Sequence, residues 1–268
     1  MLPIISIGNK ISSHNANIND FIINKINEKK QYMYIPTKKH LTIIACHLNS
    51  MERINILKQN IHFLSFCNND IIIINSSQLP FNEFVQTEFQ DKIKEYFEIP
   101  NDKWLDFGKW KYILNNFDYS VYDFITFTND SFYIHQPICF FYNLATLKNK
   151  ELYGYTSSSE IKYHYQSYLF TLKKDAVFKL KDFLDYEMTP KITVIYLEIN
   201  LIHLFSTKDC FLDVGNISIN HKKNIFFNNS FLYNILLKHH LLPFTKLKKQ
   251  KLSVYNYNNT SITFSPRH

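Results

Sequence analysis

Hydrophobic positions along the chain fall into two kinds of run. Leu41-Thr-Ile-Ile-Ala-Cys-His47, Asp70-Ile-Ile-Ile-Ile-Asn75 and Tyr122-Asp-Phe-Ile-Thr-Phe-Thr128 are short apolar stretches bounded by polar residues. Their length and β-branched content predict strands buried on both faces. Between them the period changes. Ser50 to Phe66 carries Ile54, Leu57, Ile61 and Leu64 at helical spacing, with Asn49 or Ser50 as N-cap. A helix is also predicted over Phe81 to Phe97, through Phe84, Glu88 and Ile93, and another over Lys109 to Asn116. Strand, helix, strand, helix with continuous apolar strands is the pattern of a parallel α/β sheet flanked by helices.

The second half reads as mixed α+β. A strand is expected near Tyr163 to Leu172, a helix after Asp175 and a long helix near Ile192 to Phe205. Short strands around Phe211 to Ile219 and a helix from Asn229 to His239 complete it. Residues 1–40 are polar and rich in Asn and Lys, with one amphipathic helix around Ile18 to Ile26, and read as an extension of a domain that begins at Leu41. Residues 252–268 read as a tail.

Composition narrows the function classes. The chain has 268 residues, 46% hydrophobic and 16% aromatic, enough for a substantial core. No apolar run approaches the ~18 residues of a spanning helix. The N-terminal stretch Leu2 to Ile7 is too short for a signal-peptide core and lacks a basic leader, so a cytoplasmic protein is expected. Only four glycines occur, Gly8, Gly108, Gly154 and Gly215. Clustered glycines are what a P-loop or a dinucleotide fingerprint needs to approach phosphates, so both are excluded. The surplus of Asn, Ile, Lys, Tyr and Phe reads as A/T-rich coding, which makes a surviving glycine more informative. Cys46, Cys67, Cys139 and Cys210 form no C-x-x-C and read as buried free thiols.

Net charge is +7, with basic residues concentrated in Lys246-Leu-Lys-Lys-Gln-Lys251. Such a balance suits either a nucleic-acid binder or an enzyme handling anionic substrates. No recognition helix, zinc finger or aromatic RNA-binding signature accompanies the cluster, which ranks nucleic acid second.

The third strand leads directly into Asn129-Asp130-Ser131. Ligands of open parallel sheets bind beyond the carboxyl ends of the strands, where His47, Asn75 and Asp130 all fall. A carboxylate at a strand tip suits a hard divalent cation that also touches phosphate oxygens. The same tripeptide is also a common turn. Around it lie Trp104-Leu-Asp-Phe-Gly-Lys-Trp110, Leu152-Tyr-Gly-Tyr-Thr-Ser-Ser-Ser-Glu160 and Tyr163-His-Tyr-Gln-Ser-Tyr168. Tyr196-Leu-Glu-Ile-Asn-Leu201, Asn228-Asn-Ser230 and His240-Leu-Leu-Pro-Phe-Thr-Lys246 follow.

In that order these segments resemble GT-A-type glycosyltransferases, the polysaccharide-building enzymes grouped with rhamnan-synthesis proteins and the capsid-glycan enzymes of large DNA viruses. The resemblance runs from about Leu41 to Lys251, with no single motif specific by itself. It implies a GT-A-like, Rossmann-like domain over 41–251, with a nucleotide-sugar half (41–131) and an acceptor half (132–251). It further implies transfer of a sugar from a nucleoside-diphosphate donor, UDP-sugar favoured, to a glycan or glycoprotein acceptor, assisted by Mn2+ or Mg2+. Asp130 stands alone where an acidic D-x-D triplet is expected, and would be the metal ligand. His47 and Asn49 would line the nucleoside pocket. Arg53, Asp106, Lys109, Asn129 and Lys246 would complete the donor site. Glu160 and His164 are candidates for the base that takes the acceptor proton, Glu160 as a partly buried carboxylate. Gln166 and Ser167 would position hydroxyls, and Trp110 would stack on a sugar face. The competing reading is a basic nucleic-acid-binding or virion-associated interaction protein without catalysis.

Overall fold

A computed structural model describes residues 12–31, 38–67, 69–77, 89, 91–214 and 231–247, with the short strands Ser253–Tyr255 and Ser261–Thr263. Strands β1 (His40–Cys46) and β2 (Asn69–Asn75) pair in parallel, Ile43 beside Ile72 and Cys46 beside Asn75. Every residue of β1 is buried. Its alternate side chains enter different cores, Ile44 and Cys46 on one face of the sheet and Leu41, Ile43 and Ala45 on the other. Two-sided burial is why the chain reads as a continuous apolar run there.

β3 (Ile93–Glu98) adds in parallel outside β2, and β4 (Phe124–Asn129) in parallel on the far side of β1. Beyond β4 the sheet becomes mixed, through β6 (Leu152–Ser158), β7 (His164–Tyr165), β8 (Leu169–Lys173) and β9 (Lys208–Leu212). The order is β3-β2-β1-β4-β8-β6-β7, with β9 alongside β6. β8 runs antiparallel to both β4 and β6, while β9 runs parallel to β6. The carboxyl ends of β1, β2, β3, β4, β6 and β9 therefore share one edge of the sheet with the amino end of β8.

Helices cover both faces. α1 (Ser12–Gln31), α2 (Met51–Ser65), α4 (Cys139–Lys148) and α7 (Phe231–Lys238) pack on one side; α3 (Asp106–Asn116), α5 (Val177–Glu187) and α6 (Val194–Leu201) pack on the other. Ile18 and Ile22 of α1 are buried in the first core, so the segment read as an extension packs on the domain. α2 starts where Ser50 Oγ accepts the Arg53 N–H at 3.3 Å. Among the described residues no helix is long and apolar enough to cross a membrane.

Three expectations change, and one pair of cysteines is brought together. The helix expected over Phe81 to Phe97 is a strand from Ile93 onward, an edge strand whose half-exposed, charged residues hide the apolar signal; residues 78–88 and 90 lie outside the described residues. The expected strand from Tyr163 to Leu172 is two strands, broken where Gln166 to Tyr168 pass between neighbours. The long helix near Ile192 to Phe205 is α6 followed by one 3-10 turn. Cys67 and Cys139, distant in sequence, stand with their sulfurs 3.0 Å apart.

Candidate active site

β4 ends in a turn held from three sides. Asp130 donates its N–H to the Ala45 carbonyl at 3.1 Å. Its Oδ2 accepts the His47 N–H, also at 3.1 Å, which ties the tips of β1 and β4 together. Arg53, one turn into α2, donates from Nη1 to the Asp130 carbonyl at 2.5 Å. Asn129 closes the turn, its Oδ1 accepting from Ser131 N–H at 3.0 Å and Ser131 Oγ at 2.6 Å. Its amide donates to Asp106 Oδ2 at 2.7 Å, so the first residue of α3 is fixed to the same turn.

The neighbouring strand tips extend this polar edge. His47 Nδ1 is 3.1 Å from Ser76 Oγ, which donates to Asn101 Oδ1 at 3.1 Å. Asn75 Oδ1 accepts the Leu48 N–H at 3.2 Å, and its amide reaches Tyr96 OH at 3.1 Å. Asn49, three residues past β1, is exposed. Beneath the edge, burial pushes the Cys46 thiol well above its usual range; Asp130 and Asp106 add to the shift and Lys109 opposes it.

Gly108 has a specific reason. A Cβ there would stand 2.2 Å from Asp102 Oδ2. Asp102 Oδ1 accepts the Trp104 N–H at 2.9 Å, shaping the loop that delivers Asp106. The W-x-D-x-G-x-W segment is therefore built around a carboxylate lying on the first turn of α3.

The second half brings further groups to this edge. β5 (Phe132–Ile134) pairs antiparallel with β10 (Phe244–Lys246), Lys246 opposite Phe132. Asn60 of α2 pins β5, donating to the Phe132 carbonyl and accepting the Ile134 N–H. Leu247 N–H reaches the Ser131 carbonyl at 2.9 Å, and Lys246 Nζ lies 4.6 Å from the centroid of the Tyr168 ring. Tyr168 and Gln166 both meet Thr156, Gln166 Oε1 accepting its hydroxyl at 2.7 Å. Ser167 donates from N–H and Oγ to Glu198 Oε1 at 2.9 and 3.0 Å.

Several expected site residues take other tasks. Trp110 is a correction: its side chain is fully buried, edge-on to Phe107, Phe127 and Phe170, so no sugar can stack on it. Arg53 and Lys109 are buried; Arg53 shapes the Asp130 turn, and Lys109 donates to the Leu105 carbonyl at 3.3 Å. Glu160 is exposed on the turn after β6 rather than partly buried. His164 is buried, its Nδ1 2.8 Å from the Lys162 carbonyl. Asp213, missed in the sequence, follows β9 and accepts from Ser157 Oγ at 2.6 Å and Tyr163 OH at 2.9 Å. Its signal was the one that marks Asp130, a carboxylate directly after a short apolar strand.

Among the described residues no group of three His, Cys, Asp or Glu side chains is placed to hold a metal ion. Asp130 offers a single carboxylate, one oxygen of which takes the His47 N–H. The residues fit a divalent cation only where phosphate oxygens of a ligand supply most of its coordination. An open cleft of about 520 Å³ lined by Lys38, Lys39, His40 and Lys92 lies at the opposite, amino-terminal end of β1 and β2, away from this chemistry.

No family model matches the sequence, and no curated protein matches it. The fold is nevertheless shared with a solved structure, the glycosyltransferase GlyE of Streptococcus pneumoniae TIGR4. The TM-score is 0.55 at 13% sequence identity, over 85% of this chain and 58% of that one. The chain spans less than two thirds of that protein's length, and what the two have in common is an α/β fold with a partly parallel central sheet.

Proposed function

We propose that the chain is a glycosyltransferase that moves a sugar from a nucleoside diphosphate, a UDP-sugar being favoured, to a glycan or glycoprotein acceptor. The observation carrying this reading is the convergence on one sheet edge of the Asp130 turn, the His47–Ser76–Asn101 chain and Lys246. A fold shared with GlyE, a glycosyltransferase, supports it. The His47 side of the edge would receive the nucleoside, and the Asp130 turn the diphosphate.

When the donor's glycosidic bond breaks, negative charge grows on the departing phosphate. Lys246 is the cation best placed to meet it, because the β5–β10 pairing seats it beside the Asp130 turn. Arg53 and Lys109 act indirectly, by holding the turn and balancing Asp106 and Asp130. A Mn2+ or Mg2+ ion bound by Asp130 would supply further charge stabilisation at the phosphates. The acceptor would enter beside Gln166 and Ser167. If stereochemistry is inverted, the acceptor hydroxyl's proton goes to Glu160 or His164, or to Asp213 nearby. The same reading places the work in the cytoplasm, or in a virion or host cytoplasm for a viral protein, and links the chain to rhamnan-type or capsid glycans.

A melting screen against UDP, GDP and their sugars, with and without manganese, tests the donor class, since a ligand specific to the native state raises its stability. A stabilising diphosphate whose effect disappears in Asp130→Ala, with the fold retained, is the expected result. Absence of any shift, together with salt-dependent binding to DNA or RNA, would instead favour the interaction-protein reading.

A further inference from the structure

The four cysteines are unequal. Cys46 and Cys210 are buried in separate cores. Cys67 is buried just past the end of α2, at 3% exposure, while Cys139 is the first residue of α4 and is partly open to solvent. Their sulfurs are 3.0 Å apart across 72 residues of sequence. A disulfide bond is about 2.05 Å long, so closing it requires a movement of about 1 Å.

From this geometry we infer that Cys67 and Cys139 form an oxidisable dithiol, a modification site whose co-reactant is hydrogen peroxide. The two sulfurs divide the chemistry. Cys139 is the reachable one, and its place at the N-terminus of α4 favours its thiolate. The neighbouring Cys67 thiol holds the Cys139 pKa below its ordinary value, whereas burial drives that of Cys67 well above. Cys139 is thus the attacking sulfur and Cys67 the resolving one.

The step balances as follows. Cys139 loses its proton, and its thiolate attacks a peroxide oxygen; the O–O bond breaks, giving a sulfenic acid and hydroxide, which takes up a proton to become water. The Cys67 sulfur then attacks the sulfenic sulfur. The S–O bond breaks, the S–S bond forms, and the departing hydroxide leaves as a second water with the Cys67 proton. Two thiols are oxidised and one peroxide is reduced to two waters. The resulting bond ties the end of α2 to the start of α4. It does not depend on the sheet-edge site or on the glycosyltransferase reading.

The test treats the full chain with hydrogen peroxide, quenches and unfolds it in acid, alkylates the remaining thiols and maps them by mass spectrometry. A Cys67–Cys139 peptide pair lacking two hydrogens, released by dithiothreitol, is expected, with Cys46 and Cys210 alkylated. In Cys67→Ser, Cys139 should accumulate as a sulfenic acid trapped by dimedone, and in Cys139→Ser the Cys67 thiol should stay reduced. Oxidised wild type should also melt higher than reduced wild type, a shift Cys67→Ser lacks. Four alkylated thiols after treatment, a different cysteine pairing, or Cys139 overoxidised beside a free Cys67 would each overturn the assignment.

Discussion

The Lys246 ammonium sits 4.6 Å from the centre of the Tyr168 ring, joining β10 to the residue that precedes β8. Tyr168 is itself fixed through Thr156. The ring's negative face orients the cation beside the Asp130 turn, where a bound phosphate would meet it. Lys246→Ala should therefore weaken nucleoside-diphosphate binding about tenfold to a hundredfold, the range of a hydrogen bond to a charged group at ~1.5–3 kcal/mol. Titration calorimetry with the diphosphate found in the melting screen checks this. Unchanged affinity would remove Lys246 from the site.

Arg53 acts on the same turn through its backbone. A guanidinium donating to the Asp130 carbonyl from a buried position is poorly replaced by an ammonium, which is more strongly hydrated and carries its charge at a single point. Both Arg53→Met and Arg53→Lys should lower diphosphate affinity, by about tenfold or more, while thermal unfolding remains cooperative. Full rescue by lysine would show that only charge matters at this position.

Some of this was legible along the chain and some was not, for physical reasons. β1, β2 and β4 announce themselves because both faces of each are buried, and the Asp130 turn follows from the strand that ends there. β3 carries no such signal: Lys94 and Glu95 are exposed at the sheet edge. The tasks of Lys246 and Asp213 depend on pairings far apart in sequence, β10 with β5 and β9 with β6, which no local pattern encodes. Trp110 misled because an aromatic suits a sugar face and a core equally well; only its burial among Phe107, Phe127 and Phe170 decides between them.

That burial makes Trp110 a stability residue. Trp110→Ala should cost about 3–5 kcal/mol, the range for deleting a large buried aromatic, while Trp110→Phe should cost less. Denaturant unfolding measures both. A Trp110→Ala protein of near-native stability with a weakened acceptor KM would restore the stacking role.

Gly108 and Asp102 should be coupled. Gly108→Ala forces the Asp102 carboxylate off the Trp104 N–H, losing a hydrogen bond worth ~1 kcal/mol, against a helix-propensity gain of similar size. In an Asp102→Ala background only the gain remains, so the same substitution should stabilise by about 1 kcal/mol. A double-mutant cycle reads the difference directly. Equal effects in both backgrounds would mean that the Asp102 carboxylate does not restrict the helix start.

Buried His40 and half-buried His135 set the pH dependence. Burial holds His40 at about 4, slightly opposed by Asp123, and holds His135 at about 4, helped by the nearby charges of His240 and Lys29. Both stay neutral in the folded chain while the unfolded chain takes up protons near pH 6.5. Their contribution is therefore complete above about pH 6.5 and declines as pH falls toward 4, by roughly 2 kcal/mol per histidine at pH 5. The carboxylates Glu28 and Glu151, whose pKa values are lowered in the fold, act only below about pH 4.5 and leave this window to the histidines. His40 stacks on Phe124 with ring centroids 5.0 Å apart, so His40→Phe keeps the stack and removes the titration. The denaturant midpoint should fall between pH 7.5 and pH 5 in the wild type and about half as far in His40→Phe. A wild-type midpoint that does not move between those two pH values would mean that water reaches both rings in the folded chain.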